Sequence, residues 1–159
     1  MLKLTKKADY GLIALKDLTV RHPQSASAKD IADRYGLPLP LLSKVLQKLT
    51  RSGFLRSEQG SSGGYRLAKQ PAEISAFEVI RAIDGPIFLT ACFTEHGGCA
   101  HSGKCNVRDP LRKVHEGIVK LLSSIKLADI AKEDPAPTTE TCAPPPVEEL
   151  TILTSIRGN

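Results

Sequence analysis

The chain has no tryptophan and one methionine, and aromatic residues make up only 4% of its 159 residues. Its core must therefore be mostly Leu, Ile, Val and Ala, and a hydrophobic fraction of 41% is enough for one. No apolar run approaches the ~18 residues that a membrane span needs, so no membrane partner is expected. The opening, MLKLTKKADYG, is broken by charge every few residues and lacks the apolar stretch of a secretory signal. The expected location is the cytoplasm, where thiols stay reduced. No Ser/His/Asp set, phosphate-binding glycine loop or paired-carboxylate motif stands out, so an enzyme is not expected. At this length the chain forms one or two small domains.

What is present is unevenly spread. Residues 1–70 carry thirteen Lys and Arg against five Asp and Glu, whereas residues 71–159 carry nine against twelve. A basic first half beside a mildly acidic second half points to a polyanionic partner for the first half.

The periodicity predicts a helix over Leu4 to Val20 with Thr5 as its N-cap and an apolar face at Tyr10, Ile13, Ala14 and Leu18. A loop follows from His22 to Ser27. Ser27 with Asp30 resembles a capping box and opens a short helix that stops at Gly36. Pro38 and Pro40 make a tight turn, and Pro40 sits where a helix tolerates proline, in its first turn. In the helix it opens, Leu41, Leu42, Val45, Leu46 and Leu49 face inward. Ser43, Lys44, Gln47, Lys48 and Arg51 share the other side, and Gly53 ends the helix. Phe54–Ser57 and Tyr65–Ala68 read as two strands joined by a Gly/Ser tip. Ser75–Asp84 is a helix, residues 85–108 form a loop, and Asp109 and Pro110 open a long helix. Leu111, Val114, Ile118, Leu121, Leu122 and Ile125 give that helix one apolar stripe. From about residue 134 the chain is rich in Pro, Thr and Glu and reads as a disordered tail. The apolar stretch LTILTSI near the end has no assigned place.

Helix, short helix, tight turn, helix and glycine-tipped hairpin is the order of a winged helix-turn-helix. The second helix of such a pair enters the major groove of double-stranded DNA. Ser43, Lys44, Gln47, Lys48 and Arg51 supply groups for phosphates and base edges. Arg56, Gln59, Ser61, Ser62 and Arg66 on the hairpin, with Lys6 and Lys7 on the first helix, extend that surface. The competing reading is a small helical domain with an ordinary solvated lysine face.

Three cysteines, Cys92, Cys99 and Cys105, lie in the segment ACFTEHGGCAHSGKC with C-x6-C-x5-C spacing. Thiolates are soft ligands that suit zinc, copper(I) or an iron–sulfur cluster. Structural zinc sites usually carry closely paired cysteines, and no CxxC occurs here. Wide gaps suit a loop wrapped around a larger object. A cluster needs about four protein ligands, so a fourth must join the three. His96, His101, His115, Asp9 and Cys142 are the candidates, and Cys142 lies in the Pro-rich tail. A zinc site or a metal-free thiol switch remains an alternative.

These residues resemble the winged-helix iron–sulfur regulators of the Rrf-two superfamily, which includes the IscR and NsrR branches and the proteobacterial regulators of SUF cluster assembly. The resemblance covers roughly residues 1–132. It rests on LTKKADYG, LPLPLLSKVLQKLTRSGFL, GSSGGYRLA, and DGPIFLTAC with the two later cysteines and the long helix. The likeness is greatest to the SUF regulators, through GLPLP, GPIFLTAC and SIKLADIA. It implies a homodimer in which the long helix packs against its partner, and a 2Fe-2S or 4Fe-4S cluster on Cys92, Cys99 and Cys105. The IscR branch adds a histidine three residues after the third cysteine, where this chain has Arg108. The NsrR branch uses an aspartate near the start of the first helix of the other subunit, and Asp9 occupies that place. The resemblance thus implies Asp9 of the partner subunit as fourth ligand. In IscR an arginine precedes the tip glycine of the wing; here that position is Gln59.

The expectation is a mainly α fold with a small β-wing, divided into a DNA-binding domain at 1–70, a cysteine loop with its dimerisation helix at 71–132, and a tail at 133–159. The expected function is a dimeric repressor that reports iron–sulfur cluster status to the genes of cluster assembly. A nitric-oxide or redox sensor of the same architecture, or a zinc-stapled DNA-binding protein, is the alternative.

Overall fold

Thr5 starts the first helix. Its backbone is extended and its hydroxyl accepts from the Ala8 N–H at 3.3 Å, so α1 runs Lys6–Arg21. The computed structural model describes residues 4–60, 63–90, 93 and 104–132. Ser27 and Asp30 form the expected capping box, α2 runs Ala28–Tyr35, and Gly36 closes it in the left-handed region with φ 62°. Pro40 lies in the first turn of α3 (Leu39–Arg51), whose Leu42, Val45, Leu46 and Leu49 are buried. Leu41 is only half-buried, because it sits at the margin of the apolar face.

Two short strands follow, β1 (Leu55–Glu58) and β2 (Gly64–Leu67), paired antiparallel with Leu55 opposite Leu67 and Arg56 opposite Arg66. Each lies one residue from its expected position. The alternation decides this: Leu55 and Leu67 must point to the core, which puts Arg56, Glu58 and Arg66 on the outer face. A third extended segment joins the pair. Ala26 N–H donates to the Tyr65 carbonyl at 3.0 Å, and Tyr65 N–H to the Ala26 carbonyl at 2.8 Å. Gly64 is required at this junction, since a Cβ there would lie 2.5 Å from the Ala26 carbonyl oxygen.

A 3-10 turn (Pro71–Glu73) leads to α4 (Ala76–Asp84), capped by Ser75 and Glu78 in a reciprocal box. After the cysteine segment, α5 runs Arg108–Ser124, one residue earlier than expected, and a short α6 (Leu127–Lys132) follows that the apolar stripe did not separate from it. The chain between α5 and α6 is pinned to the start of α4. Ala76 N–H donates to the Ile125 carbonyl at 2.9 Å, and Leu127 N–H to the Ile74 carbonyl at 3.0 Å.

One core joins these elements. Leu15 and Leu18 of α1 meet Ile31 of α2, the leucines of α3, and Val79, Ile80 and Ile83 of α4, with Leu127 of α6 also fully buried. Gly11 lets α1 approach this layer closely. A Cβ at Gly11 would collide with Ile83 Cδ1 and lie 3.3 Å from Val45 Cγ1. By contrast, no residue of α5 is buried, and Val114 and Leu121 are 51% and 62% exposed. The stripe predicted for α5 exists: Leu122 packs on the core and Leu111, Ile118 and Ile125 are half-buried, while Val114 and Leu121 stay exposed among the described residues. None of the helices among the described residues is long and apolar enough to cross a membrane. The tail beyond Lys132, Cys142 and LTILTSI included, lies outside the described residues.

Candidate nucleic-acid interface and cysteine loop

The second helix of the helix-turn-helix is α3. Its amphipathic pattern buries the leucine side and leaves Lys44, Gln47, Lys48 and Arg51 exposed, with Ser43 half-buried. The strands place Ser57 and Tyr65 on the sheet face that looks toward α3. Gln47, Thr50 and Arg51 meet them around a depression of about 190 Å³. Helix and wing therefore form one continuous surface. Thr50 and Tyr65 were not among the expected interface residues; they are found only once the strand register is known.

The expected cations differ in their engagement. Lys44 and Arg56 form no ion pair among the described residues. Arg66 pairs through Nε with Glu58 Oε1 at 2.7 Å on the outer face of the wing. Lys48 donates from its ammonium to the Ile83 carbonyl of α4 at 2.7 Å. Gln59 is exposed, and Ser61 and Ser62 lie outside the described residues.

A buried acid holds the motif together. Asp17 of α1 is 4% exposed and accepts from Arg34 Nη1 at 2.6 Å and from the Tyr35 hydroxyl at 3.1 Å. Arg21 Nε lies 3.0 Å from its other oxygen. Burial and the facing Asp17 carboxylate push the Tyr35 hydroxyl above its usual range. The cluster ties the end of α2 to α1. No local motif announces it, because Asp17 and Arg34 lie on different helices.

The cysteine segment leaves α4 at Gly85, which adopts φ 88°, and rejoins the described chain ahead of α5. Of its cysteines, Cys105 is described: it is half-buried and is a free thiol. Cys92 and Cys99 lie outside the described residues, as do His96 and His101. Phe93, next to Cys92, stacks on His115 of α5 with ring centroids 5.5 Å apart. This occupies one face of the His115 ring. A helix of seventeen residues is about 25 Å long. The end of α5 is held beside Ala76, and its first half carries the His115 that meets Phe93.

The start of α1 meets the root of this segment. Thr5 Oγ1 donates to Asp84 Oδ1 at 2.6 Å. Leu4, Asp84, Ile87, Phe88 and Leu121 are among the residues around a largely apolar cleft of about 490 Å³. Asp9, one turn further along α1, is exposed and its carboxylate forms no ion pair among the described residues. No group of three or more His, Cys, Asp or Glu able to hold a metal ion occurs among the described residues.

The family model described as "Iron-dependent Transcriptional regulator" matches residues 4–133. The chain belongs to the Rrf2 family. It is similar to the HTH-type transcriptional regulator NsrR of Geobacillus kaustophilus, with 31% identity over 83% of this chain and 91% of the relative. It is 33% identical to the HTH-type transcriptional regulator IscR of Aliivibrio salmonicida, over 81% of this chain and 77% of that protein. Its fold is similar to that of CymR, the global cysteine regulator of B. subtilis, with a TM-score of 0.75 and 27% identity over 85% of this chain and 100% of that one. As an Rrf2 protein the chain is a DNA-binding transcriptional regulator, of a family that is not enzymatic. The mainly helical architecture with a two-stranded wing is that of the family.

Proposed function

We propose that this Rrf2 regulator works as a homodimer that represses the genes of iron–sulfur assembly and senses cluster status through its cysteine loop. The observation that carries the reading is the cysteine set itself. Three soft donors fall in one segment between α4 and α5 of an Rrf2 chain, and Cys105 is a free thiol. Their chemistry fits a 2Fe-2S or 4Fe-4S cluster. Cys92, Cys99 and Cys105 would hold it, with Asp9 of the partner subunit completing the set. When bound, the cluster supplies a centre that oxidants and iron supply can alter.

The rest of the mechanism belongs to the chain. Lys44, Gln47 and Arg51 of α3 enter the major groove, while Arg56, Gln59, Ser61, Ser62 and Arg66 approach the backbone from the wing. The exposed part of the α5 stripe, Val114 and Leu121, packs against its copy in the partner and sets the spacing of two recognition helices. A cluster held there would tie Cys92, Cys99 and Cys105 to Asp9 at the start of the partner's α1, and without it the two recognition helices would be free to adopt a spacing that binds the operator differently. Coupling of this kind is typically ~1–3 kcal/mol.

Anaerobic purification with absorbance, iron and sulfide counts tests the cluster. Ala at Cys92, Cys99 or Cys105 should abolish the visible absorbance, and Asp9→Ala should shorten cluster lifetime more than Cys142→Ala. Full iron in all three cysteine variants, or the reverse order for Asp9 and Cys142, would overturn the assignment. The likeness to CymR supports a second reading, in which the signal is cysteine supply and the thiols stay metal-free. The same preparation would then be colourless. Zinc in place of iron would mark a stapled DNA-binding protein, and a prompt spectral response to nitric oxide would mark a nitric-oxide sensor.

A further inference from the structure

Lys48 lies on the exposed side of α3, one turn beyond Lys44, and its position alone would make it a phosphate contact. Its ammonium is engaged elsewhere. It donates at 2.7 Å to the main-chain carbonyl of Ile83, 35 residues later in the chain. Ile83 belongs to the last turn of α4, where carbonyls lack partners within the helix and the helix dipole favours a cation. A charged donor on such a carbonyl makes a short, strong hydrogen bond.

The place is mechanically central. The Ile83 side chain is 4% exposed and wedges against Gly11 of α1 and toward Val45 of α3. The next residue, Asp84, accepts from Thr5 at the head of α1. Gly85, where the cysteine segment begins, donates its N–H to Arg81 in the same turn at 3.0 Å. Recognition helix, first helix and loop root therefore meet within three residues, and Lys48 is the polar link from the recognition helix.

We propose that Lys48 is a positioning residue for DNA recognition: it ties α3 to the end of α4 and makes no phosphate contact. The orientation of the Ser43–Arg51 face then follows the root of the cysteine segment. This assignment needs only that α3 reads DNA and holds whether or not the thiols carry a cluster.

The test uses the full chain and fluorescence anisotropy on two labelled duplexes of equal length. One is enriched from random-sequence DNA by the wild-type protein, and the other is an unrelated sequence. Lys48→Met should leave the salt slope on the unrelated duplex unchanged. The preference for the enriched duplex should fall about tenfold, and amide exchange across residues 80–88 should quicken. Lys48→Arg, which can still donate to the Ile83 carbonyl, should restore the preference. Lys44→Met is the contrast, with a slope reduced by about one. A salt slope reduced by about one in Lys48→Met would make it a phosphate contact and overturn the proposal. Unchanged preference and unchanged exchange would overturn it equally. Should Lys48→Met fail to fold, Lys48→Arg carries the test, because a guanidinium on the carbonyl predicts wild-type exchange over residues 80–88. Faster exchange with undiminished DNA preference would sink the idea.

Discussion

The hydroxyl of Thr5 donates to the carboxylate of Asp84 at 2.6 Å, across 79 residues of sequence. The same oxygen accepts from the Ala8 N–H, so one side chain both caps α1 and holds the end of α4. Thr5→Val keeps the shape and removes both bonds. It should lower stability by about 1–2 kcal/mol, as loss of a cap does, read as a lower urea midpoint at constant slope. Because Asp84 precedes the cysteine segment, the variant should also speed amide exchange at Gly85. An unchanged midpoint would mean that this bond adds nothing in solution.

Lys44 is the plainest test of the interface. It is exposed on α3 and has no partner to lose among the described residues. Lys44→Ala should weaken binding to any duplex and reduce the salt slope by about one, with no change in thermal midpoint. Identical slopes would argue that this part of α3 stands clear of the backbone.

Asp17 predicts a stability loss without any change at the DNA surface itself. Removing the buried carboxylate leaves Arg34, Arg21 and the Tyr35 hydroxyl without their shared acceptor. Both arginines still reach solvent, at 37% and 35% side-chain exposure. The cost of Asp17→Ala should therefore fall below the usual range for a broken buried pair, at about 2–3 kcal/mol. Urea unfolding measures it. Tyr35→Phe should cost less, because the arginines remain.

Glu78 gives a pH dependence. The Ser75 hydroxyl and backbone N–H bond its carboxylate and hold its pKa below the ordinary glutamate range. A depressed folded pKa means that the stabilisation is present above the unfolded value and is lost as pH falls through the folded one. Glu78→Gln should be less stable than wild type at pH 7. The gap should narrow as the pH drops below the ordinary carboxylate range, and urea midpoints across that range would show it. A gap that widens in acid would contradict the capping role.

Much of the architecture is local and therefore readable in one dimension. Ser27 with Asp30, Pro40 and Gly36 act within a single turn, and each marks a helix end where one is found. The leucine period of α3 likewise separated its buried side from its polar side. The strands lie one residue from where the pattern puts them because four-residue strands carry little alternation, and burial of Leu55 and Leu67 chooses the register.

The amino-acid sequence by itself determined the order of elements, the polar face of α3, the stripe of α5 and the three-cysteine segment, since each depends on spacing along the chain. Tertiary structure alone decided how these parts engage. It engaged Lys48 with the Ile83 carbonyl, buried Asp17 among Arg21, Arg34 and Tyr35, and left Val114 and Leu121 of the α5 stripe exposed. The reason is physical: a side chain's partner is set by which helix ends and faces come within reach after packing, and helices far apart in sequence carry no mutual signature beforehand.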